Sequence, residues 1–307
     1  MGRGGREVQT AGGELAAGGE PAIADENETL AAGGEPAAGE ARDVHEVVGR
    51  HYAEVARSAR PTSCCPSRSP KFYDAAAIAD LPLEVLSASR GCADPHSFAH
   101  LKSGERVLDL GCGAGIDCLL AAREVGEGGE VVGLDMTPEM LDLARNSARE
   151  AGFTNVRYVQ GYIEELPFAS ASFDLVISNC VINLSPDKPA VLREAFRVLR
   201  PGGRFVVADI IALRALPEPA AQQLAAFLGC TSGVLLRSEY ERQLRALGFA
   251  DVTFNAIDAY HRDRLELKAR RTERQAELMQ IGIEAADSAM AGCVICAHRP
   301  PLRAASA

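Results

Sequence analysis

The segment Val107–Cys118, with the sequence VLDLGCGAGIDC, constrains the fold of this chain more than any other stretch. A buried strand pattern runs into a glycine-rich loop, and a helix pattern starts directly after it. Glycines at 111, 113 and 115 let the backbone turn tightly beside a ligand. A strand, a glycine loop and a helix in this order are typical of the first unit of a nucleotide-binding α/β sheet.

Strand and helix patterns alternate from residue 105 onwards, which predicts a doubly wound, mostly parallel α/β sheet. The predicted strands of that sheet cover residues 106–112, 130–136, 155–161, 173–180 and 204–211. The predicted helices between them cover residues 115–126, 138–152 and 188–203. Further helix patterns fall at 216–229, 238–247 and 263–290, and further strands at 251–258 and 291–300.

Composition divides the chain into four predicted parts. The octapeptide LAAGGEPA occurs at 15–22 and again at 30–37. An Ala/Gly/Glu/Pro tract of this kind cannot bury enough apolar surface to offset its chain entropy, so a disordered tail is predicted over 1–42. The other parts are a helical segment with an SCC loop, the sheet-forming core and a small C-terminal α+β module, which cover residues 43–102, 103–212 and 213–307.

Charge and hydropathy exclude several classes of partner. The net charge is −10, and residues 1–43 alone contribute −6 of it. No basic stripe is present, so nucleic acid is not an expected partner. No apolar stretch is long enough to span a bilayer, and the first residues lack the apolar core of a signal peptide. We therefore expect a cytoplasmic protein that does not use a membrane, and a monomer, since nothing in the sequence demands an oligomer.

Nine cysteines are many for a cytosolic chain of 307 residues. A reducing compartment argues against a disulfide framework, so the thiols need another explanation. Core packing explains Cys118, on the apolar face of its helix, and the CxxC pair Cys293 and Cys296, in a hydrophobic terminal strand. Cys112, inside the glycine loop, has no expected chemical role. Cys180 differs from these four, because it comes directly after the fourth predicted strand and would project towards a cofactor in the glycine loop.

Acidic residues around the glycine loop favour a cationic cofactor. The loop reads GxGxG rather than the GxGxxG of dinucleotide-binding folds, and Asp109 stands two residues before its first glycine. A carboxylate there would repel a pyrophosphate but suits the sulfonium and ammonium groups of S-adenosylmethionine. Asp135, at the end of the second strand, is placed to accept hydrogen bonds from ribose hydroxyls.

The motifs DLGCGAG, LDMTPEML and RPGG, over roughly residues 100–210, resemble those of class I S-adenosylmethionine-dependent methyltransferases, which have a Rossmann-like sheet. The resemblance implies that Asp109, Gly111 and Gly113 hold the methionine end of the cofactor and that Asp135 holds its ribose. It also implies that Met136, Ile163 and Glu164 lie against the adenine. The expected cofactor-binding set is Asp109, Gly111, Gly113, Gly115, Asp135, Met136, Ile163 and Glu164. The six scattered histidines are expected to be structural or exposed rather than catalytic.

The cysteine contexts SNCVINLSPDK, GCADP at 91–95 and GC at 229–230 resemble those of arsenite methyltransferases. This resemblance implies that Cys92, Cys180 and Cys230 bind trivalent arsenic, the substrate, as thiolates. One of Cys64 and Cys65, in the SCC at 63–65, would act in the first methylation or relay the arsenic. A thiol reductant, glutathione or thioredoxin, is then the implied co-substrate. Trivalent arsenic is soft and takes three thiolates while its lone pair stays free, so no general base is required.

Two other functions fit parts of the same pattern. The chain could methylate a small carbon or oxygen acceptor such as a quinone or a sterol, in which case methylation would survive replacement of Cys180 and Cys230 by serine. It could also be a metalloid-binding or redox-sensing protein without turnover, although the intact DLGCGAG and Asp135 count against this.

Overall fold

A sheet of seven strands forms the centre of the protein. The structure is a computed structural model, and it describes residues 38–59, 72–215, 233–259 and 289–302. The strands are β1 (Arg106–Leu110), β2 (Glu130–Asp135), β3 (Val156–Gln160), β4 (Phe173–Asn179), β5 (Leu199–Ala212), β6 (Ala250–Ala259) and β7 (Met290–His298). Their order across the sheet is β3-β2-β1-β4-β5-β7-β6.

The five strands β1 to β5 are parallel, and β7 is antiparallel to both of its neighbours, β5 and β6. Strand β1 lies in the middle of the parallel part, where Val107 pairs with Val131 of β2 on one side and with Leu175 of β4 on the other. The predicted fold class, a doubly wound and mostly parallel α/β sheet, is confirmed. The C-terminal strands β6 and β7 extend this same sheet.

Eight α-helices lie within the described residues. They are α1 (Ala38–Ser58), α2 (Ala75–Ile78), α3 (Leu83–Ala88), α4 (His96–Ala99), α5 (Ile116–Val125), α6 (Pro138–Glu150), α7 (Lys188–Val198) and α8 (Arg237–Ala246). Local sequence explains where two of them start. Pro138 opens the first turn of α6, where its missing N–H costs nothing. Asp187 caps α7, because its carboxylate accepts a hydrogen bond of 2.8 Å from the Ala190 N–H.

Two hydrophobic layers, one on each face of the sheet, form the core. Alternation along β1 and β4 sends Val107 and Leu175 into one layer, beside the buried side of α5. The neighbouring residues Leu108 and Val176 belong to the other layer, with α7 and α8. Each fully buried Val or Leu side chain contributes about 1.5–3 kcal/mol to the free energy of folding, so the two layers fix the strand register.

Several boundaries differ from the prediction. The helical segment predicted over 43–102 begins earlier than expected, because α1 starts at Ala38, so residues 38–42 are helical and not part of a disordered tail. Helix α7 ends at Val198, and β5 starts at Leu199 rather than at residue 204. Pro201 explains this, since a residue before proline is biased away from the helical region. The rest of the predicted tail, and the helices predicted at 216–229 and over most of 263–290, lie outside the described residues.

Candidate active site

A deep pocket opens at the carboxyl ends of β1, β2 and β4. Its empty space, including the open mouth, is about 940 Å³. Six of the eight predicted cofactor-binding residues line it, together with Cys180, and these six are Gly111, Gly113, Asp135, Met136, Ile163 and Glu164. Asp109, Gly115 and Cys92 are not among the lining residues. In parallel α/β sheets, ligands bind at this edge of the strands, so the topology and the lining residues identify one site.

The glycine loop folds as the sequence predicts. Gly111 and Gly115 have φ values of +66° and +89°, which a side chain would strain. A Cβ atom on Gly111 would lie 2.5 Å from the methyl carbons of Val181, and one on Gly115 would lie 2.6 Å from the Tyr158 Oη. Because Val181 follows Cys180, the glycine loop and the cysteine loop are in direct contact.

Asp135 ties the end of β2 to the glycine loop. Its Oδ2 atom accepts a hydrogen bond of 2.9 Å from the Gly113 N–H, and its Oδ1 atom accepts one of 2.8 Å from the Thr137 N–H. Burial raises the pKa of this carboxyl, while these hydrogen bonds act to lower it. The carboxylate therefore lies at the pocket wall in a fixed orientation, as a ribose-binding residue requires.

Asp109 lies beneath the loop rather than in the pocket. Only 1% of it is exposed, and its Oδ2 atom accepts a hydrogen bond of 3.3 Å from the Cys118 thiol. Burial and the nearby charge of Asp117 raise its pKa well above the usual carboxyl value. A direct contact between Asp109 and the methionine end of a cofactor stays a prediction.

Glu164 offers an unused acceptor to the pocket. Its Oε1 atom accepts a hydrogen bond from the Ser185 hydroxyl and lies 3.2 Å from the His45 Nε2 atom. Its Oε2 atom is buried and, among the described residues, has no hydrogen-bond partner. The His45 ring stacks on Tyr162 at 4.6 Å between centroids. A buried carboxylate oxygen without a partner is costly, and a ligand amino group would satisfy it.

Helix α1 supplies a wall of the pocket that the sequence analysis missed. His45, Val48 and Tyr52 of this helix line it. Their spacing of three and four residues places them on one face of a helix, and this was the available signal. Nothing local indicated that this face turns towards the glycine loop, which lies about 60 positions further along the chain.

The thiols of Cys92 and Cys180 meet beside this pocket. The structure pairs them as a disulfide with a Cα–Cα distance of 6.0 Å, and both residues are more than 90% buried. Cys180 has a φ of +60°, an uncommon conformation for a residue with a side chain, and it turns the chain directly after β4. The sequence predicts free thiols at Cys92 and Cys180, but the structure joins them in a disulfide. The physical reason is that the fold brings the two predicted arsenic ligands next to each other.

A buried polar network lies behind the two thiols. The Tyr73 hydroxyl donates a 2.8 Å hydrogen bond to the Asp117 Oδ1 atom, and the His96 Nε2 atom lies 3.0 Å from the same oxygen. Burial alone would lower the pKa of His96, but the hydrogen bond and charge of Asp117 outweigh it and raise that pKa. His96 is therefore held within this network, and the expectation that it is structural stays a prediction.

The other predicted thiols cannot be placed. Cys64, Cys65 and Cys230 lie outside the described residues. Within the described ranges, no group of three or more His, Cys, Asp or Glu side chains is placed to hold a metal ion. Cys112, Cys118 and Cys293 are free and buried, and of these three Cys112 also lines the pocket. Burial raises the pKa values of Cys112 and Cys293 to about 11.

Comparison with known proteins identifies the family to which the chain belongs. A family model described as a methyltransferase domain matches residues 101–248. CrArsM, an arsenic (III) S-adenosylmethionine methyltransferase from Chlamydomonas reinhardtii, is 35% identical in sequence, and its crystal structure superposes with a TM-score of 0.58. The match covers 74% of this chain and 73% of that one. The chain belongs to the arsenite methyltransferase family.

Two curated relatives mark the extent of the likeness. The family member from Halobacterium salinarum, an arsenite methyltransferase, is 35% identical over 76% of this chain. The match spans 63% of that relative's length. A ubiquinone/menaquinone biosynthesis C-methyltransferase from Vibrio vulnificus is 46% identical, over 35% of this chain and 42% of its own. The arsenite methyltransferase likeness therefore extends well beyond the segment shared with the quinone enzyme. No helix in the described ranges is long and apolar enough to cross a membrane.

Proposed function

We propose that this chain transfers the methyl group of S-adenosylmethionine to trivalent arsenic held by cysteine thiolates. The observation that carries the proposal is the meeting of Cys92 and Cys180 beside a pocket lined by the glycine loop. The family's arsenic specificity supports it, because two adjacent thiols suit a soft, thiophilic substrate. The core thiols Cys112, Cys118 and Cys293 would take no part.

The pocket residues fit the cofactor. Gly113 leaves open space for close approach, since a Cβ atom there would meet nothing within 4 Å. Asp135 is oriented for ribose hydroxyls, and the free Oε2 atom of Glu164 would accept a hydrogen bond from the adenine amino group. Met136 and Ile163 would flank the ring as apolar walls. Bound S-adenosylmethionine supplies an electrophilic methyl group on its sulfonium. The role of Asp109 and Gly115 would be to shape the loop from beneath.

The cysteines would bind and activate arsenic. Three thiols displace the three hydroxyls of arsenous acid as water, and Cys230 is proposed to join Cys92 and Cys180 as the third ligand. The arsenic lone pair then forms the arsenic–carbon bond as the sulfonium–methyl bond breaks, and the electron pair of the broken bond stays on the sulfur of S-adenosylhomocysteine. No proton has to be removed from the nucleophile. The methylated arsenic is formally pentavalent, and two thiols of the reductant would return it to the trivalent state as they become a disulfide. Holding the arsenic close to the methyl group would supply much of the rate acceleration, because a bimolecular reaction becomes an effectively unimolecular one. Cys64 or Cys65 would act in the first round.

A thiol reductant would prepare the site. The Cys92–Cys180 disulfide must accept two electrons to give two thiols before arsenic can bind, and two thiols of a reductant would become a disulfide in exchange. Glutathione and thioredoxin are the reductant classes that we propose. This requirement for a reductant favours the cytoplasm, where thiols are kept reduced. We also propose that the protein is a monomer that acts on a small molecule and binds neither nucleic acid nor a membrane. We keep the proposed divisions at residues 103 and 213, and the first division moves to residue 38, where α1 starts.

The test is release of S-adenosylhomocysteine by the purified protein with arsenite and glutathione. We expect arsenite-dependent release from the wild type and a loss of at least about 100-fold in Cys180→Ser, since one arsenic ligand is removed. Cys296→Ser, which changes a thiol on β7 away from the pocket, is the matched control and should keep wild-type rates. No release from the reduced wild type would overturn the proposal.

A second candidate function has one observation in its favour. The 46% identity to the quinone C-methyltransferase falls within the methyltransferase core and leaves a carbon acceptor as the alternative. Methylation of a quinol that survives Cys180→Ser, with no response to arsenite, would establish it. Arsenite binding without release of S-adenosylhomocysteine would indicate a metalloid-binding protein without turnover.

A further inference from the structure

We infer that Asn179 is a positioning residue of the thiol site, holding the backbone at Cys92 in place against Cys180. The inference rests on the proposed function and concerns a residue of the SNCVINLSPDK motif to which the sequence assigned no role. Asn179 is the last residue of β4, and Cys180 follows it in the chain. Cys92 lies on the loop between α3 and α4, 87 positions before Asn179. Contacts between these two distant loops must therefore hold Cys92 beside Cys180.

The side-chain amide of Asn179 binds the backbone on both sides of the Cys92–Ala93 peptide unit. Its Oδ1 atom accepts a hydrogen bond of 3.0 Å from the Cys92 N–H. Its Nδ2 atom donates one of 2.9 Å to the Ala93 carbonyl oxygen. This is the pairing that a neighbouring strand would provide, and here a single side chain provides it. The position of Cys92 is thereby fixed to the end of β4.

Further contacts fix the orientation of the amide. Its Nδ2 atom lies 2.9 Å from the Tyr73 Oη atom and 3.3 Å from the Asp117 Oδ2 atom. Both neighbours can accept a hydrogen bond, so the amino group must face them. A rotated amide would bring its oxygen against the carboxylate of Asp117 and would lose the bond to the Cys92 N–H. The buried network behind the thiols therefore holds Asn179 in the one useful orientation.

Gly91 allows the loop that carries Cys92 to approach the Asn179 side chain closely. A Cβ atom at this position would lie 2.7 Å from the Asn179 Nδ2 atom and 3.0 Å from its Cγ atom. Real side chains do not approach so closely, and the amide is held on its other side. The loop can therefore reach the amide only because residue 91 is glycine.

Replacing Asn179 should weaken arsenic binding more than it weakens cofactor binding. In Asn179→Ala we expect the KM for arsenite to rise about tenfold, because two hydrogen bonds that each stabilise by about 0.5–1.5 kcal/mol are lost. Gly91→Ala should act in the same direction, by pushing the loop away from the amide. Both residues also line the pocket, so in both variants the affinity for S-adenosylhomocysteine should fall by a smaller factor than the KM for arsenite rises.

Asn155 provides a matched control. Its Nδ2 atom donates two hydrogen bonds of 2.9 Å, to the carbonyl oxygens of Ala122 and Gly126, away from the thiols. Asn155→Ala therefore loses comparable bonds and should leave the KM for arsenite unchanged. An equal rise in this control, or an equal loss of S-adenosylhomocysteine affinity in Asn179→Ala, would mean a general structural role and would overturn the inference.

A readout without arsenic separates this inference from the proposed function. The fraction of Cys92–Cys180 disulfide is measured in glutathione buffers of defined ratio, by alkylation, trypsin digestion and mass spectrometry. Cleavage after Arg90 and Lys102 places Cys92 in a peptide without Cys180. Two glutathione molecules reduce one disulfide, and the equilibrium constant for forming the protein disulfide should fall about tenfold in Asn179→Ala and in Gly91→Ala.

The outcomes are distinct. If the wild type does not methylate arsenic but the disulfide equilibrium shifts in both variants, the proposed function fails and the positioning role of Asn179 stands. If the equilibrium is unchanged in both variants, the positioning role is wrong, whatever the wild type methylates. Should Asn179→Ala fail to fold, Gly91→Ala, which leaves every hydrogen-bonding group in place, decides the question alone.

Discussion

Gly111 stands where the glycine loop touches the cysteine loop. Its φ of +66° and the 2.5 Å from its Cβ position to the Val181 methyl carbons are two separate reasons for glycine. In Gly111→Ala we expect the affinity for S-adenosylhomocysteine to fall more than tenfold, because the loop must move away from Val181 to make room. Isothermal titration calorimetry measures this.

Gly152 has a positive φ but no close neighbour, so a variant at this position tests backbone strain without the steric contact. Its φ is +75°, and a Cβ atom there would meet nothing within 4 Å. Gly152→Ala should therefore cost about 1 kcal/mol of stability from backbone strain and leave cofactor affinity unchanged. If the two variants bind S-adenosylhomocysteine equally well, contact with Val181 does not shape the cofactor site.

At this scale the sequence predicts residues that belong to a local motif and misses those that act across the fold. The glycines and Asp135 were found because strand, loop and helix follow each other in the chain. Asn179 and His45 were missed because their partners, Cys92 and Glu164, lie 87 and 119 positions away. Only the fold makes those pairs neighbours.

Among the elements, α1 forms a wall of the proposed cofactor site although it precedes the methyltransferase domain. Besides lining the pocket, it contacts α6 through an ion pair of 2.8 Å between Arg57 and Glu139. A chain that begins at residue 60 should bind S-adenosylhomocysteine at least about tenfold more weakly, since a wall of the pocket and the His45 contact to Glu164 are lost.

The matched control for that truncation is a chain that begins at residue 38, which keeps α1 whole. It should bind S-adenosylhomocysteine as the full chain does. Equal affinity of the two shortened chains, both confirmed as folded by circular dichroism, would remove α1 from the cofactor site.

Strand and helix patterns identified the elements well where burial is complete. Strand β1, with four of its five residues buried, could be read directly from its apolar run. The start of β5 could not, because its pairing is irregular: Phe173 pairs with Leu199, but Leu175 pairs with Arg204. The position of β7 between β5 and β6 also has no local signal, since strand order is set by contacts between distant segments.

For the molecule as a whole, buried Asp209 should make stability depend on pH. Burial raises its pKa from 3.8 to about 7, while backbone hydrogen bonds and Lys188 act to lower it. Between these values the folded protein keeps a proton that the unfolded chain releases. Stability is therefore highest below about pH 4 for this group and is lost as pH rises towards about 7, by up to about 1.4 kcal/mol per pH unit.

Urea denaturation of the wild type and of Asp209→Asn between pH 5 and pH 8 tests this. The wild type should lose about 2–3 kcal/mol relative to the variant over that range, because the asparagine cannot ionise. The comparison is of slopes, so a constant offset between the two proteins does not matter. Parallel curves would contradict the assignment.

Strand β7 follows β6 in the chain, yet it lies between β5 and β6 in the sheet. During synthesis, β5 can pair with β4 as soon as both have left the ribosome, but its other edge stays open until residues 290–298 are made. Until then β5 and β6 present unpaired backbone edges, which favour pairing with other chains. A message cut short before codon 290 would thus yield an aggregation-prone product, and growing chains would depend on chaperones until residues 290–298 are made.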